Sequence, residues 1–299
     1  MRNEKLEEAK KYLVNSNIAN FVSEDEINKA VDNSYICDSK DELYQLYESK
    51  TGIEYDGFLK GFNNGSKNYF PPDFTTHAAI HEALHTLSST FNEEGKRLVN
   101  GIEVKDSAFG RFVNEGLTEY LTTKICNEPP EAYLVEVSFF KNIDENFSKY
   151  FESNIALEGM YINNRTDMLK EFVNVSLNKE DINFDDICNN FLFYNQEKMY
   201  SITSKINKGC KKILKRREFD KKHPILSKIR NKISRKDANL MLNAPKGNYE
   251  NFKDEVSKNK MADDLKSGVY STEEVNYNSR MRKENSREID EIHEDVVEK

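Results

Sequence analysis

Apolar residues recur at helical spacing through much of the chain. Ile80, Leu84, Leu87 and Phe91 stand at i, i+4, i+7 and i+11, one stripe of a 3.6-residue period, which predicts a helix with that stripe turned to a core. Thr75 or Thr76 suits its N-cap, Pro71 and Pro72 keep it from beginning sooner, and Ala78, Ala79 and Ala83 favour helix. Val113, Leu117 and Leu121, extended by the stem of Lys124, predict a second amphipathic helix; Pro129 and Pro130 separate it from a third, aromatic one running from Tyr133 to Phe140. Gly57 to Phe62 and Lys67 to Phe70 flank the turn-rich Asn63-Asn64-Gly65-Ser66, the pattern of a β-hairpin. Ser39 to Glu42 reads as a capping box, with Gly52 as the stop signal of that helix. The fold class predicted is α+β and mainly α-helical, with a small β-hairpin or sheet and a charged helical or disordered C-terminal region.

Composition sets the limits of the core. Of 299 residues 37% are hydrophobic and 32% charged, so not all of the chain need be packed. Residues 1–50 read as an N-terminal helical segment, 51–204 as the main domain, 205–236 as a basic segment and 237–299 as a flexible charged tail with some frayed helix. Between Lys205 and Lys236 fourteen Lys or Arg stand against Glu218 and Asp220, in a chain whose net charge is −8. Such a segment can contact an anionic surface by releasing counterions, or lie as a solvated helix on the acidic remainder of the molecule. No stretch is long and apolar enough for a transmembrane segment, and the charged start, Met1 to Glu8, lacks the apolar run of a signal peptide. Cys37, Cys126, Cys188 and Cys210 are scattered without a CxxC pair, which argues against a disulfide framework and against a second zinc site. A reducing compartment fits best: cytoplasmic, or reached by export without an N-terminal signal peptide.

The chemistry is concentrated in the first two helices. His81-Glu82-Ala83-Leu84-His85 is an HExxH segment, expected by frequency in roughly one chain in a hundred of this composition. At i and i+4 on a helix both imidazoles can face one metal ion while Glu82 stands beside it. Catalytic zinc takes three protein ligands and keeps a position for water, so a third ligand must come from elsewhere; Glu115 is the obvious donor. His77 lies one turn before His81 on the same face. Three histidines on consecutive turns span roughly 12 Å and cannot all reach one ion, so His77 reads as a helix-start residue near the cleft.

Together with Asn114-Glu115-Gly116-Leu117-Thr118-Glu119, the HExxH segment resembles the gluzincin metallopeptidases, the thermolysin-like and aminopeptidase-like group, over the stretch from Thr75 to about Leu121. The resemblance implies a zincin-like catalytic domain in residues 51–204 and one Zn2+ held by His81, His85 and Glu115, with Glu82 as the general base. It further implies that Glu119 orients a zinc-bound histidine by accepting its other ring N–H, with Asn114 beside it in a supporting place. The family also supplies a Tyr or His donor to the developing oxyanion from beyond the ligand glutamate. Tyr120, Tyr133, Tyr161 and His223 all qualify by position, and Tyr161 is the one singled out. The gap of 29 residues between His85 and Glu115 is longer than in the simplest members, so Phe91 to Gly110 is expected to form an inserted loop or excursion.

The expected activity is zinc-dependent hydrolysis of peptide bonds in a protein or peptide substrate. Zinc acidifies its water and polarises the carbonyl, and Glu82, free of the metal, carries the proton to the leaving amine. No exopeptidase recognition strand precedes the HExxH segment, so an endopeptidase is expected by resemblance; the hairpin reads equally as the edge to which an extended substrate is added or as an ordinary small sheet with no substrate role. The competing expectation is a non-catalytic binding protein that keeps a vestigial or structural metal site and acts through its basic segment.

Overall fold

The computed structural model describes residues 3–223 apart from 54–58, 94–96, 105–107, 178–179, 181 and 191–193. The expected tail at 237–299, the end of the basic segment, and Gly57 and Phe58 of the expected hairpin lie outside the described residues. The fold is α+β and mainly helical.

Its centre is a helix at Thr76–Leu87. Preceding it are α1 (Glu4–Val14), a 3₁₀ turn at Asn17–Asn20, α2 (Glu24–Asp32), β1 (Ser34–Ile36), α3 (Lys40–Thr51), β2 (Phe62–Asn64) and β3 (Lys67–Phe70), which makes the central helix α4. The capping of α2 is complete: Ser23 accepts from the Glu26 N–H and Glu26 from the Ser23 N–H. In α3 the Ser39 cap forms, but Glu42 turns to the Asp38 N–H instead; Gly52 ends the helix at φ +68°. The expected hairpin is present, and its two-residue turn opens on Gly65 at φ +71°. One strand was not foreseen: β1 pairs parallel with β3, giving the order β1-β3-β2. Asn68, fully buried, knots this sheet to its neighbours. Its Nδ2 donates to Ala30 O at 2.9 Å, and its Oδ1 accepts from Asn63 and from Thr86 of α4.

Thr75 caps α4 through the Ala78 N–H, and ten of the twelve residues of α4 are buried. The helix stops at Leu87, so Phe91, expected on its stripe, lies instead in β4 (Ser89–Phe91). The expected excursion is in its described part an antiparallel meander of β4, β5 (Arg97–Asn100) and β6 (Glu103–Val104). It leads to α5 (Ala108–Cys126) and α6 (Leu134–Tyr150). After these come α7 (Ala156–Ile162), α8 (Thr166–Ser176), α9 (Phe184–Asn190) and α10 (Gln196–Lys222). Gly116 lets α6 come close against α5, because a Cβ there would sit 2.1 Å from Glu136 Cβ. α1 and α2 pack on α4, while α6 lies between α5 and α10, and one apolar core runs from Ala9 and Leu13 through Leu84 and Leu117 to Phe147 and Ile206. No described helix is long and apolar enough to cross a membrane.

Candidate metal centre

Helical spacing puts His81 and His85 on one face of α4, and α5 packs against that face with Glu115 opposite them. His81 Nε2 lies 3.1 Å from His85 Nε2 and 3.2 Å from Glu115 Oε2, and His85 Nε2 lies 3.3 Å from the same oxygen. Three basic atoms thus converge on one point. A tetrahedral zinc with ligand bonds of about 2.0–2.2 Å spaces its ligand atoms by roughly 3.3 Å, so this triangle fits the ion that the motif implies.

The far side of each imidazole has a partner of its own, which turns the other nitrogen towards the triangle. His81 Nδ1 donates to Glu119 Oε2 at 2.9 Å, and His85 Nδ1 faces the carboxamide of Asn100, 3.1 Å from Nδ2 and 3.3 Å from Oδ1. Ser88 donates to that same Oδ1 at 3.1 Å and fixes its direction. Glu119 is unusually well supplied: its Oε1 also accepts from His77 Nε2 at 3.0 Å and from the backbone N–H groups of Glu131 and Ala132. Burial pushes its carboxyl up, but the His77 and His81 hydrogen bonds outweigh that and hold it well below the usual carboxylate range. Glu115 behaves alike: burial opposes its charge, and His85 and His81 more than compensate.

Glu82, buried beside the triangle, is raised by burial and by the Glu115 charge, while His81, His85 and Arg97 oppose the rise. Arg97 reaches from β5 to donate to Asn63 Oδ1 at 2.7 Å, which ties the two sheets together next to this carboxylate.

The remaining expected residues take different places. Asn114 does not approach the ligands; its Oδ1 accepts from the Ile102 N–H at 3.0 Å and pins the β5–β6 turn, and its buried Nδ2 has no hydrogen-bond partner among the described residues. That turn needs Gly101, at φ +55°, where a Cβ would stand 2.2 Å from Asn114 Oδ1. Tyr161 is fully buried with its hydroxyl 2.7 Å from Thr118 Oγ1, so it braces α7 on α5. Tyr120 donates to Asp144, and His223 ends α10 in an exposed position against Phe219. Tyr133 has its ring nearly parallel to that of His81 with centroids 6.4 Å apart, while the Tyr161 hydroxyl feels the charges of Glu115 and Glu82.

Sequence reasoning missed Asn100, Arg97 and Asn164. Asn164, buried and at φ +54°, donates to Ser88 O and Gly101 O and accepts from Thr90, binding the α7–α8 corner to the meander behind His85. The only hint of it in the sequence is an Asn pair after an apolar run. His77 does not join the triangle. It meets Cys126 and Glu128 instead, a second group whose ligand atoms lie within 4.8 Å of one another. In comparisons with known proteins, the chain matches no family model, no curated protein and no solved structure.

Proposed function

We propose that the chain is a zinc-dependent peptide hydrolase of gluzincin type, acting as an endopeptidase on protein or peptide substrates. The observation that carries this reading is the convergence of His81 Nε2, His85 Nε2 and Glu115 Oε2 at 3.1–3.3 Å beside a buried carboxylate, Glu82, that is not part of the triangle. Zinc held there would acidify a water and polarise the substrate carbonyl. Glu82 takes the proton on its carboxylate and returns it to the leaving amine. Glu119 on His81 Nδ1 and Asn100 on His85 Nδ1 orient both rings with Nε2 towards the triangle, where the ion would displace any proton they carry. Tyr161, near the charges of Glu115 and Glu82, and Tyr133, whose ring lies beside His81, are the two candidates to donate to the oxyanion. β2, at one end of its sheet and bonded to α4 through Asn63 and Thr86, offers an edge to an extended substrate.

Metal analysis and digestion of a broad peptide library test this reading. The wild type is expected to bind zinc and cleave. Glu82→Gln should keep its zinc and lose at least about 100-fold in kcat, since only the base is removed. Full activity in Glu82→Gln would overturn its role.

A different observation supports the competing reading, a binding protein with a vestigial metal site. Lys208, Lys211, Lys212 and Lys215 line one groove with Asn142 and the exposed Tyr200, a basic face with an aromatic suited to an anionic partner. The same experiment separates the two readings. Zinc-loaded wild type that cleaves nothing in the library leaves the basic face as the working surface.

A further inference from the structure

We propose that His77, Cys126 and Glu128 form a second zinc site, which clamps the start of α4 to the end of α5. It goes beyond the hydrolytic reading and does not depend on it. His77 Nδ1 lies 3.5 Å from Cys126 Sγ and 3.7 Å from Glu128 Oε2. Zinc bonds of about 2.3 Å to sulfur and 2.0 Å to nitrogen, at the tetrahedral angle, separate those two atoms by roughly 3.6 Å. The sulfur and nitrogen therefore already stand at ligand spacing, and the half-exposed Glu128 needs only a small rotation to complete three ligands.

The ring is oriented from the other side. Glu119 Oε1 is an acceptor already facing two backbone N–H groups, so His77 Nε2 donates to it, which turns Nδ1 towards Cys126. Asn127, at φ +57°, reverses the chain after α5 and brings Glu128 back over the thiol. The set is chemically selective: a thiolate with an imidazole favours zinc over magnesium or calcium, and Glu128 gives the ion an entry path and water a fourth position. Cys126 now donates to Thr122 O at 3.0 Å; on binding, that thiol proton and the Nδ1 proton of the charged His77 ring both leave to solvent.

Glu119 thereby serves both centres, one carboxylate oxygen to each histidine. The absence of a CxxC pair did not exclude a second site, because its ligands come from two helices and a loop.

Cobalt loading of the full chain distinguishes the two centres, since the His81–His85–Glu115 group contains no sulfur. The wild type should take up two Co2+ and show thiolate-to-cobalt charge-transfer absorption. Cys126→Ser should lose that absorption and one equivalent while its far-UV circular dichroism stays the same, and Glu115→Ala should lose the other equivalent and keep the absorption. Glu128→Gln, at a half-exposed position that folding tolerates, should weaken the sulfur-bearing site by at least about 10-fold. A wild type without charge-transfer absorption, absorption that persists in Cys126→Ser, or undiminished affinity in Glu128→Gln would each overturn the second site. Failure of the hydrolytic reading alone would show as an unchanged cobalt count in Glu115→Ala.

Discussion

Glu119 accepts four N–H groups, two from imidazoles and two from the backbone after Pro130. Replacing one of its oxygens by an amide sets a donor against a donor at whichever histidine it faces, and the ring must turn or shift its proton. Glu119→Gln should therefore weaken zinc binding by about 10- to 100-fold, read by competition with a chelator, while the helical circular dichroism is retained. Wild-type affinity would mean that His81 is oriented by its packing alone. Helical periodicity places Glu119 one turn after Glu115, and its role beside a histidine came from the gluzincin resemblance. Asn100 and Asn164 were not legible in the sequence, since they reach the site from a strand end and a helix corner, where no period links them to the histidines. Tyr161 shows the opposite limit: its place after the glutamate helix suits a donor to substrate, yet nothing in a sequence says which way a tyrosine on a short helix points, and here its hydroxyl is buried on Thr118, near the charges of Glu115 and Glu82.

At the scale of elements, the glycine in the glutamate motif is a packing residue. The meeting of α5 and α6 at Gly116 and Glu136 leaves no room for a methyl group, and the nearest atoms include α6 backbone. Gly116→Ala should cost about 3 kcal/mol or more by overpacking, seen as a lower urea midpoint at unchanged slope. It should also disturb Tyr133, which begins α6 beside His81. A stability gain, as expected for Ala in an unobstructed helix, would show that α6 can yield. The helices α4, α5 and α6 were readable from their stripes, capping and proline breaks because each is long enough to repeat its period. The meander was not: its strands have two to four residues, too few for alternation to show, and Phe91 continued the stripe of α4 by coincidence of spacing. β1 escaped for the same reason, and its pairing partner lies beyond α3.

For the whole molecule, His81, His85 and Glu115 stand on helices of the larger apolar core, so a metal bound there would be linked to folding. Zinc at about 100 times its dissociation constant adds about 2.7 kcal/mol to stability, which for a chain of this size corresponds to roughly 5–11 °C in Tm. In Cys126→Ser, which keeps only the triangle, chelation should lower the Tm by that amount and readdition of zinc should restore it; a Tm indifferent to chelator would mean that the triangle is held by protons alone. Asn164 carries a further consequence, in time. During synthesis the N-terminal helices and every ligand leave the ribosome before Asn164, whose amide closes the β4–β5 corner behind His85. A chain cut short of that residue has the complete ligand set but lacks the latch. Ribosome-arrested or truncated chains ending before Asn164 should remain without metal and, on the hydrolytic reading proposed above, without activity.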